Sequence, residues 1–168
     1  MALVRLANPK ECEAIYHLHV SVIRRLASAH YTADQIEAWA GPRRSADYRP
    51  TIKESRMYVA EEAGEVIGFG VIDLETRSVG AVYVHPDHVR KGIGTEILRT
   101  LEQRARNEGI HHLRLDASLN AAPFYSHLGY REVERCAHTL GDGATQIPCV
   151  VMEKNLAQEN RTAFRTEQ

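Results

Sequence analysis

The sequence predicts a single mixed α/β domain, and three observations lead to this prediction. The chain has 168 residues, an ordinary length for one domain. Hydrophobic residues make up 43% of it and charged residues 26%, as in typical globular proteins. Helical and strand-like periodicities follow one another in the order β-α-α-β-β-β-α-β-α-β-β. We therefore expect one domain over residues 1–156 and a polar tail over residues 157–168.

A strand and a helix are predicted at the N-terminal end. Residues 3–6 are a short apolar run, which suits a strand. Asn8 is a favourable helix cap, and Pro9 suits the first helical position. Hydrophobic side chains then recur at steps of three and four residues, at Ile15, Leu18, Val22 and Leu26. This spacing indicates a helix with one apolar face.

A second, shorter helix follows. Thr32 and Gln35 have the spacing of a capping box, in which each side chain pairs with a backbone N–H at the helix start. Gly41 followed by Pro42 predicts the end of this helix. Residues 43–50 are polar, and we expect an irregular connection there.

Three strands are predicted in the centre of the chain. Residues 57–61 and 66–74 are separated by a short turn, which is typical of a hairpin. Residues 79–84 are nearly all apolar, so we expect this strand to be buried on both faces. The second strand contains Gly68 and Gly70, and glycine inside a strand often marks the close approach of another backbone or a ligand.

The C-terminal half predicts a long helix followed by four shorter elements. The helix begins at Gly92 and ends at Gly109, with a buried stripe at Ile93, Ile97, Leu98, Leu101 and Ala105. The remaining elements are a strand over 113–117, a helix over 121–128 and a terminal hairpin of strands over 131–140 and 146–154.

Composition excludes several classes of protein. A formal net charge of −1 argues against a chain that grips nucleic acid through its phosphates. No apolar run is long enough to span a membrane, and we see no signal peptide. The three cysteines, Cys12, Cys136 and Cys149, stand at unrelated spacings, so we expect reduced thiols in a cytoplasmic protein. Neither the cysteines nor the histidines have the spacing of a metal site.

The most informative segment joins the strand at 79–84 to the helix that starts at Gly92. A helix start carries unpaired N–H groups and a partial positive charge, and Gly92 and Gly94 leave that backbone open. Arg90 and Lys91 add formal charge, so the segment predicts an anion site, most naturally for a pyrophosphate. The dinucleotide and P-loop fingerprints are absent. On the two glycines alone, a simple helix cap is an equally good interpretation.

The wider pattern around this segment resembles the GNAT N-acetyltransferase superfamily. Residues 82–87 read Val-Tyr-Val-His-Pro-Asp, and residues 90–95 read Arg-Lys-Gly-Ile-Gly-Thr. Downstream, residues 124–125 and 128–130 resemble a second family motif, Phe-Tyr followed by Leu-Gly-Tyr. The resemblance implies a GNAT fold: a central, mostly antiparallel sheet of six to seven strands, with strands four and five splayed, flanked by about four helices.

Residues 31–42 are also similar to the YafP-like branch of this superfamily. The chain departs from the family pattern at several points. Val89 stands where the acetyl-CoA loop usually has Gln or Arg, and Ser118 replaces a common Asn. Residues 78–84 lack the glutamate base that some relatives carry on strand four.

The resemblance also implies roles for individual residues. The Val82 backbone N–H would polarise the acetyl-CoA thioester, as an oxyanion-type contact. The Tyr125 hydroxyl would be the general acid that donates to the CoA thiolate. The cofactor-binding residues would be Val82, Tyr83, Val84, Val89, Arg90, Lys91, Gly92, Ile93, Gly94, Thr95, Asn120 and Tyr125.

The acceptor half of the site is less well marked. Asp73 is a candidate general base, with Glu75, Tyr83 and His85 as alternatives. Three aromatic residues are candidates for the acceptor pocket: Tyr31, Trp39 and Phe69. A core position is also a suitable interpretation for Trp39.

These observations predict a cytoplasmic N-acetyltransferase that transfers acetyl from acetyl-CoA to a primary amine of a small molecule or peptide, by direct attack in a ternary complex. We expect no metal, nucleic-acid or membrane partner, and a monomer or homodimer. Two alternatives stay open. One is a non-catalytic acetyl-CoA sensor or scaffold, and the other is a binder of a different nucleotide phosphate.

Overall fold

The computed structural model describes residues 1–157. Five helices and seven strands are found in this range, together with three single 3-10 turns. In chain order they are β1 (Leu3–Leu6), α1 (Cys12–Leu26), α2 (Ala33–Ala40), α3 (Arg49–Lys53), β2 (Met57–Glu62), β3 (Glu65–Asp73), β4 (Ser78–Val84), α4 (Ile93–Asn107), β5 (His112–Ser118), α5 (Ala122–His127), β6 (Arg131–Thr139) and β7 (Gln146–Asn155). The expected tail lies almost wholly outside the described residues.

The strands form one open sheet in the order β1-β2-β3-β4-β5-β7-β6. All neighbouring strands are antiparallel except β4 and β5, which are parallel. Within residues 1–157, β4 and β5 pair at a single position, Ser78 with Arg114. The two strands therefore separate beyond it. The predicted mixed α/β class and the splayed pair are confirmed.

Helices cover both faces of the sheet. α4 buries its apolar stripe, including Ile97 and Leu101, against one face. α1 buries Ile15 and Leu18 against the other face, where they meet Phe69 of β3. A third cluster joins α2 to the terminal hairpin through Tyr31, Ile36, Trp39, Leu140 and Ile147.

The two glycines of β3 make room for α4. A Cβ atom at Gly70 would lie 2.5 Å from Ile97 Cγ2, and one at Gly68 would lie 2.9 Å from Ile97 Cδ1. Close approach was the right expectation, and the approaching group is a helix side chain. Because no side chain projects at these two positions, α4 lies directly on the strands that lead to the site.

Two local predictions were wrong. Residues 43–50 were expected to be irregular, but a 3-10 turn leads into α3, which begins at Arg49. Pro50 is compatible with this because the first turn of a helix needs no backbone donor. β4 was expected to be buried on both faces, yet Val82 and Val84 are only half-buried. The separation of β4 from β5 accounts for that exposure.

The expectation of reduced thiols was also wrong for two of the three cysteines. Cys136 and Cys149 face each other across the β6–β7 hairpin and form a disulfide, with 4.9 Å between their Cα atoms. Their separation of 13 residues carries no signal in the sequence, because only the hairpin register brings them together. Cys12 is the free cysteine of the described part, and it is buried.

None of the described helices combines the length and the apolar character needed to cross a bilayer.

Candidate active site

The start of α4 has the backbone geometry of an anion site. Gly92 caps the helix in a left-handed conformation, with φ of 80°, and Arg90 before it has φ of 63°. No side chain among residues 1–157 hydrogen-bonds to this cap. The N–H groups of the first turn, at residues 93–95, therefore have no intrahelical acceptor and are left for a ligand or water.

Three elements meet at this helix start. A Cβ atom on Gly94 would lie 3.2 Å from the Phe124 ring of α5 and 3.5 Å from Val84 Cγ2 at the end of β4. Glycine at this position therefore lets α4 begin against both β4 and α5. Gly94 and Val84 are both predicted cofactor-binding residues, and the structure brings these two together.

Positive charge stands beside the helix start. Arg90 and Lys91 are exposed, and neither forms an ion pair with any residue of the described range. The neighbouring acid, Asp87, is held by Arg25 at 2.9 Å, which lowers the pKa of Asp87. The loop thus presents uncompensated cations next to unpaired N–H groups, and this combination attracts phosphate.

The separation of β4 from β5 leaves one edge of β4 open. The other edge pairs with β3 along its length, with Gly70 opposite Val82 and Gly68 opposite Val84. Backbone groups on the open side of residues 82–84 have no β5 partner among the described residues. An extended molecule with amide groups could pair with this edge as an added strand does.

Tyr125 lies on α5, directly after Phe124, whose ring is close to the start of α4. Its side chain is 5% exposed, and its ring packs edge-on against Phe124 and Tyr130 at 5.0 and 5.8 Å between centroids. Burial raises the pKa of the Tyr125 hydroxyl, and the nearby Tyr83 raises it further. The phenol is therefore protonated at neutral pH and can act as a hydrogen-bond donor.

Asn120 lies in the turn between β5 and α5. Its Oδ1 is buried and has no hydrogen-bond partner in the part of the chain that the structure describes. A buried amide oxygen without a donor carries a free-energy cost. Since the turn borders the opening between β4 and β5, Asn120 can accept a hydrogen bond from a ligand there.

Asp73 is placed differently from the other predicted catalytic residues. It lies at the β3–β4 turn, where it accepts hydrogen bonds from the N–H groups of Glu75 and Thr76 and pairs with Arg56 at 3.2 Å. The Thr76 N–H leads the interactions that lower the pKa of Asp73. Asp73 pairs with Ser78 and not with Val82, and four residues of strand span about 13 Å. This placement favours a role in stabilising the turn.

The other candidate bases are constrained as well. Burial raises the pKa of Tyr83 to about 12, so its phenolate is absent near neutral pH. His85 accepts a hydrogen bond at Nδ1 from the Asp87 N–H, at 3.2 Å, and caps a 3-10 turn. Glu75 is exposed in the β3–β4 turn beside Asp73.

The three aromatic candidates for the acceptor pocket do not share one pocket. The Tyr31 hydroxyl donates to the Pro148 carbonyl at 2.8 Å and accepts from the Leu119 N–H at 2.9 Å. Trp39 packs on Tyr31, with 5.5 Å between ring centroids. Phe69 is 1% exposed and lies in the core cluster on the α1 side of the sheet. Tyr31 therefore ties β7 to the β5–α5 turn, and the other two serve mainly as core.

The sequence argument missed a polar group on the α1 side of β4. His19 is buried on α1 and lies against Tyr83, with 4.2 Å between ring centroids. Its Nδ1 is 2.9 Å from the Tyr48 hydroxyl. A signal was present in the sequence, because His19 follows Ile15 by four residues and so falls on the apolar face of α1.

Residues 27–156 match the model of the acetyltransferase (GNAT) domain, which covers most of the chain. Among curated proteins, the N-acetyltransferase YafP of Escherichia coli K12 is 26% identical over 132 residues, covering 79% of this chain and 83% of YafP. The L-amino acid N-acyltransferase MnaT of the same organism is 32% identical over 120 residues, covering 64% of this chain and 65% of MnaT. Its peptidyl-lysine N-acetyltransferase YiaC is 31% identical over 110 residues, covering 64% and 68%.

Solved structures agree on the fold. A GCN5-related N-acetyltransferase from Rhodopseudomonas palustris superposes with a TM-score of 0.82 at 28% identity, covering 93% of this chain and 96% of that one. YncA from Salmonella typhimurium, solved with its cofactor acetyl-CoA, superposes with a TM-score of 0.68 at 22% identity, covering 93% and 94%. With the splayed strands and the glycine-led helix start, these matches show that the chain belongs to the GNAT acetyltransferase family.

Proposed function

We propose that this protein is an N-acetyltransferase that uses acetyl-CoA to acetylate a primary amine of a small molecule or peptide, by direct attack in a ternary complex. The observation that carries the proposal is the juxtaposition of three features. The glycine-led start of α4 meets the end of β4 and α5 at Gly94, and the buried Tyr125 follows Phe124 on α5. A pyrophosphate, an extended amide-bearing arm and a thioester each have a matching surface there.

The residues present fit acetyl-CoA. The N–H groups of residues 90–95 would hold the pyrophosphate, with Arg90 and Lys91 supplying charge. The backbone of residues 82–84 would pair with the pantetheine arm, and Asn120 Oδ1, otherwise without a donor, would accept from it. The amides at residues 90–95 do not depend on the side chain at position 89, so Val89 removes one side-chain contact and leaves the backbone site.

The bound acetyl-CoA supplies an acetyl group activated as a thioester. The Val82 N–H would donate to the carbonyl oxygen, where negative charge develops as the amine attacks. The Tyr125 hydroxyl would donate to the sulfur as the carbon–sulfur bond breaks. Its raised pKa makes it a weaker acid than a thiol of ordinary pKa near 8.5, so hydrogen bonding to the leaving sulfur precedes any full proton transfer.

The attacking amine must also lose a proton, and none of the predicted side chains is well placed to accept it. Asp73 has a lowered pKa and lies near the far end of β4, so we assign the proton to water in the opening. The acceptor class is supported by the relatives MnaT and YiaC, whose names specify an L-amino acid and a peptidyl lysine. Cytoplasmic localisation and a monomeric or homodimeric state remain predictions.

The test is acetyl transfer by the purified chain, measured as release of free CoA thiol and as acetylated product by mass spectrometry. The matched pair Arg90→Gln and Arg77→Gln isolates the cofactor site. Both arginines are exposed, both have positive φ, of 63° and 55°, and neither has an ion pair within residues 1–157. We expect Arg90→Gln to raise the KM for acetyl-CoA several-fold and Arg77→Gln to leave it unchanged.

Equal effects of the two substitutions would overturn the placement of the cofactor at α4. Binding of acetyl-CoA without transfer to any amine in a broad panel would support the sensor alternative over an enzyme.

A further inference from the structure

A polar cluster lies on the α1 side of β4, away from α4. It consists of Arg43, His19, Tyr48 and Tyr83, and we call it the Arg43 cluster. Tyr83 belongs to β4 between the two valines that border the open edge. Its ring lies against His19 and Phe69 at 4.2 and 5.3 Å between centroids. The cluster thus begins directly behind the strand on which acetyl transfer is proposed to occur.

His19 brings an unused polar atom into the cluster. The residue is 5% exposed, and its Nδ1 is taken by the Tyr48 hydroxyl at 2.9 Å. Its Nε2 is buried and has no hydrogen-bond partner among the described residues. Burial also lowers the pKa of His19 well below its usual value, and the charge of Arg43 adds to this effect. His19 is therefore neutral and does not supply a second cation.

Arg43 is the cation of the cluster. It is half-buried, its Nε is buried without a hydrogen-bond partner, and it forms no ion pair with any residue of the described range. Every other arginine without an ion pair in that range is exposed, namely Arg49, Arg77, Arg90 and Arg131. Burial raises the pKa of Tyr48 and the charge of Arg43 opposes this rise, so the guanidinium lies near the hydroxyl that contacts His19 Nδ1.

A half-buried guanidinium with a free Nε has lost part of its hydration without gaining an anion. Burying such a group costs free energy unless a ligand supplies the missing hydrogen bonds and negative charge. A planar guanidinium matches a carboxylate in a two-point contact. One cation beside a neutral histidine balances one negative charge, which suits a carboxylate better than a doubly charged phosphate. Because Arg43 is only half-buried, its guanidinium remains accessible from solvent.

We propose that Arg43 binds a carboxylate on the acetyl acceptor, so that the acceptor is a free amino acid or a similar small molecule with an amine close to a carboxylate. The inference rests on the proposed acetyltransferase function and specifies its substrate class. A lysine side chain within a peptide has no such carboxylate and would leave Arg43 unpaired. Arg43 is a specificity-determining residue here, because it contacts the acceptor and not the reacting atoms.

The experiment measures acetylation of amino acids and of their primary amides with the wild-type enzyme, Arg43→Gln and Arg43→Lys. The amide retains the side chain and removes the negative charge. Because the paired acceptors also differ in amine pKa, the test quantity is the change in their ratio of kcat/KM between wild type and variant. Arg49→Gln, at a nearby exposed arginine without an ion pair, is the matched control.

We expect Arg43→Gln to lower the carboxylate-to-amide ratio by at least about tenfold, the size of one charge-assisted hydrogen bond. The ratio for Arg43→Lys should lie between those of the wild type and Arg43→Gln, because lysine keeps the positive charge but cannot make the two-point contact of a guanidinium. The KM for acetyl-CoA should stay unchanged in all three variants. A thermal melt of each variant confirms that it is folded.

A ratio that Arg43→Gln leaves unchanged would overturn the inference, as would efficient acetylation restricted to lysine in end-blocked peptides. Acetyl-CoA binding without turnover of any amino acid would also overturn it, while leaving the proposed cofactor intact. Failure to bind acetyl-CoA at all would instead overturn the proposed function, so the two failures are distinguishable.

Discussion

Replacing Tyr125 by phenylalanine removes one hydroxyl and leaves the ring in place. The ring packs among Phe124 and Tyr130 in the core beneath α4, so the fold keeps its contacts. The hydroxyl is the proposed donor to the leaving sulfur. A hydrogen bond to a developing charge contributes about 1.5–3 kcal/mol. A loss of about 2.7 kcal/mol of transition-state stabilisation corresponds to about a hundredfold lower kcat.

The assay is steady-state release of CoA thiol, with acetyl-CoA affinity measured separately by calorimetry. We expect Tyr125→Phe to lower kcat about a hundredfold and to leave the Kd for acetyl-CoA within about twofold, because the hydroxyl acts after binding. The matched control is Tyr130→Phe, which removes a hydroxyl from a ring 5.8 Å away in the same core. Its kcat should be unchanged. An unchanged kcat in Tyr125→Phe, or equal losses in both variants, would refute the donor role.

Two further predictions concern stability. Glu102 is 2% exposed, and its carboxylate lies 3.0 Å from the buried Lys154 ammonium. Glu102→Ala should therefore lower the unfolding free energy by about 3 kcal/mol. Glu96→Ala, on the exposed face of α4, should lower it only slightly. Urea denaturation measures both, and equal costs would contradict the reasoning. The pKa of His19 is lower in the folded than in the unfolded state, where it is near 6.5. The unfolding free energy is therefore unaffected by His19 protonation above pH 6.5 and decreases as the pH falls below that value. His19→Gln should therefore flatten the decline in stability below pH 6.5, by up to about 1.4 kcal/mol per pH unit.

The features that the sequence predicts well are those with local causes. Thr32 and Gln35 form the expected reciprocal capping box. Gly92 and Gly94 mark a helix start whose backbone is open, since one residue needs a positive φ and the other has no room for a side chain. Each signal is complete within a few residues, so no tertiary information is needed to interpret it.

The features that the sequence does not predict depend on the register and separation of distant segments. The Cys136–Cys149 disulfide requires the register of the terminal hairpin. The half-exposure of Val82 requires the separation of β4 from β5, because the same apolar run in a fully paired strand would be buried. Neither property is encoded by the residue type at the position itself.

The residues proposed to bind the acceptor were also not predicted from the sequence, because distant segments bring them together. Arg43 stands in a polar stretch of sequence that resembles any solvated connection, and His19 lies on an apolar helix face. Only the packing of α1 against β4 brings His19 beside Tyr83. Asp73 was a candidate base because of its place after a strand, yet the turn engages its carboxylate with two N–H groups and an arginine.

The most direct test of the central claim is a thermal-shift titration of the unmodified chain with acetyl-CoA, CoA, ATP and NAD. A ligand that binds only the folded state adds about 2.7 kcal/mol at one hundred times its Kd, which raises the melting temperature by several degrees. We predict a shift with acetyl-CoA and CoA, and none of comparable size with ATP or NAD. No shift with CoA, or an equal shift with either nucleotide, would contradict the assignment of the α4 start and the open edge of β4 to acetyl-CoA.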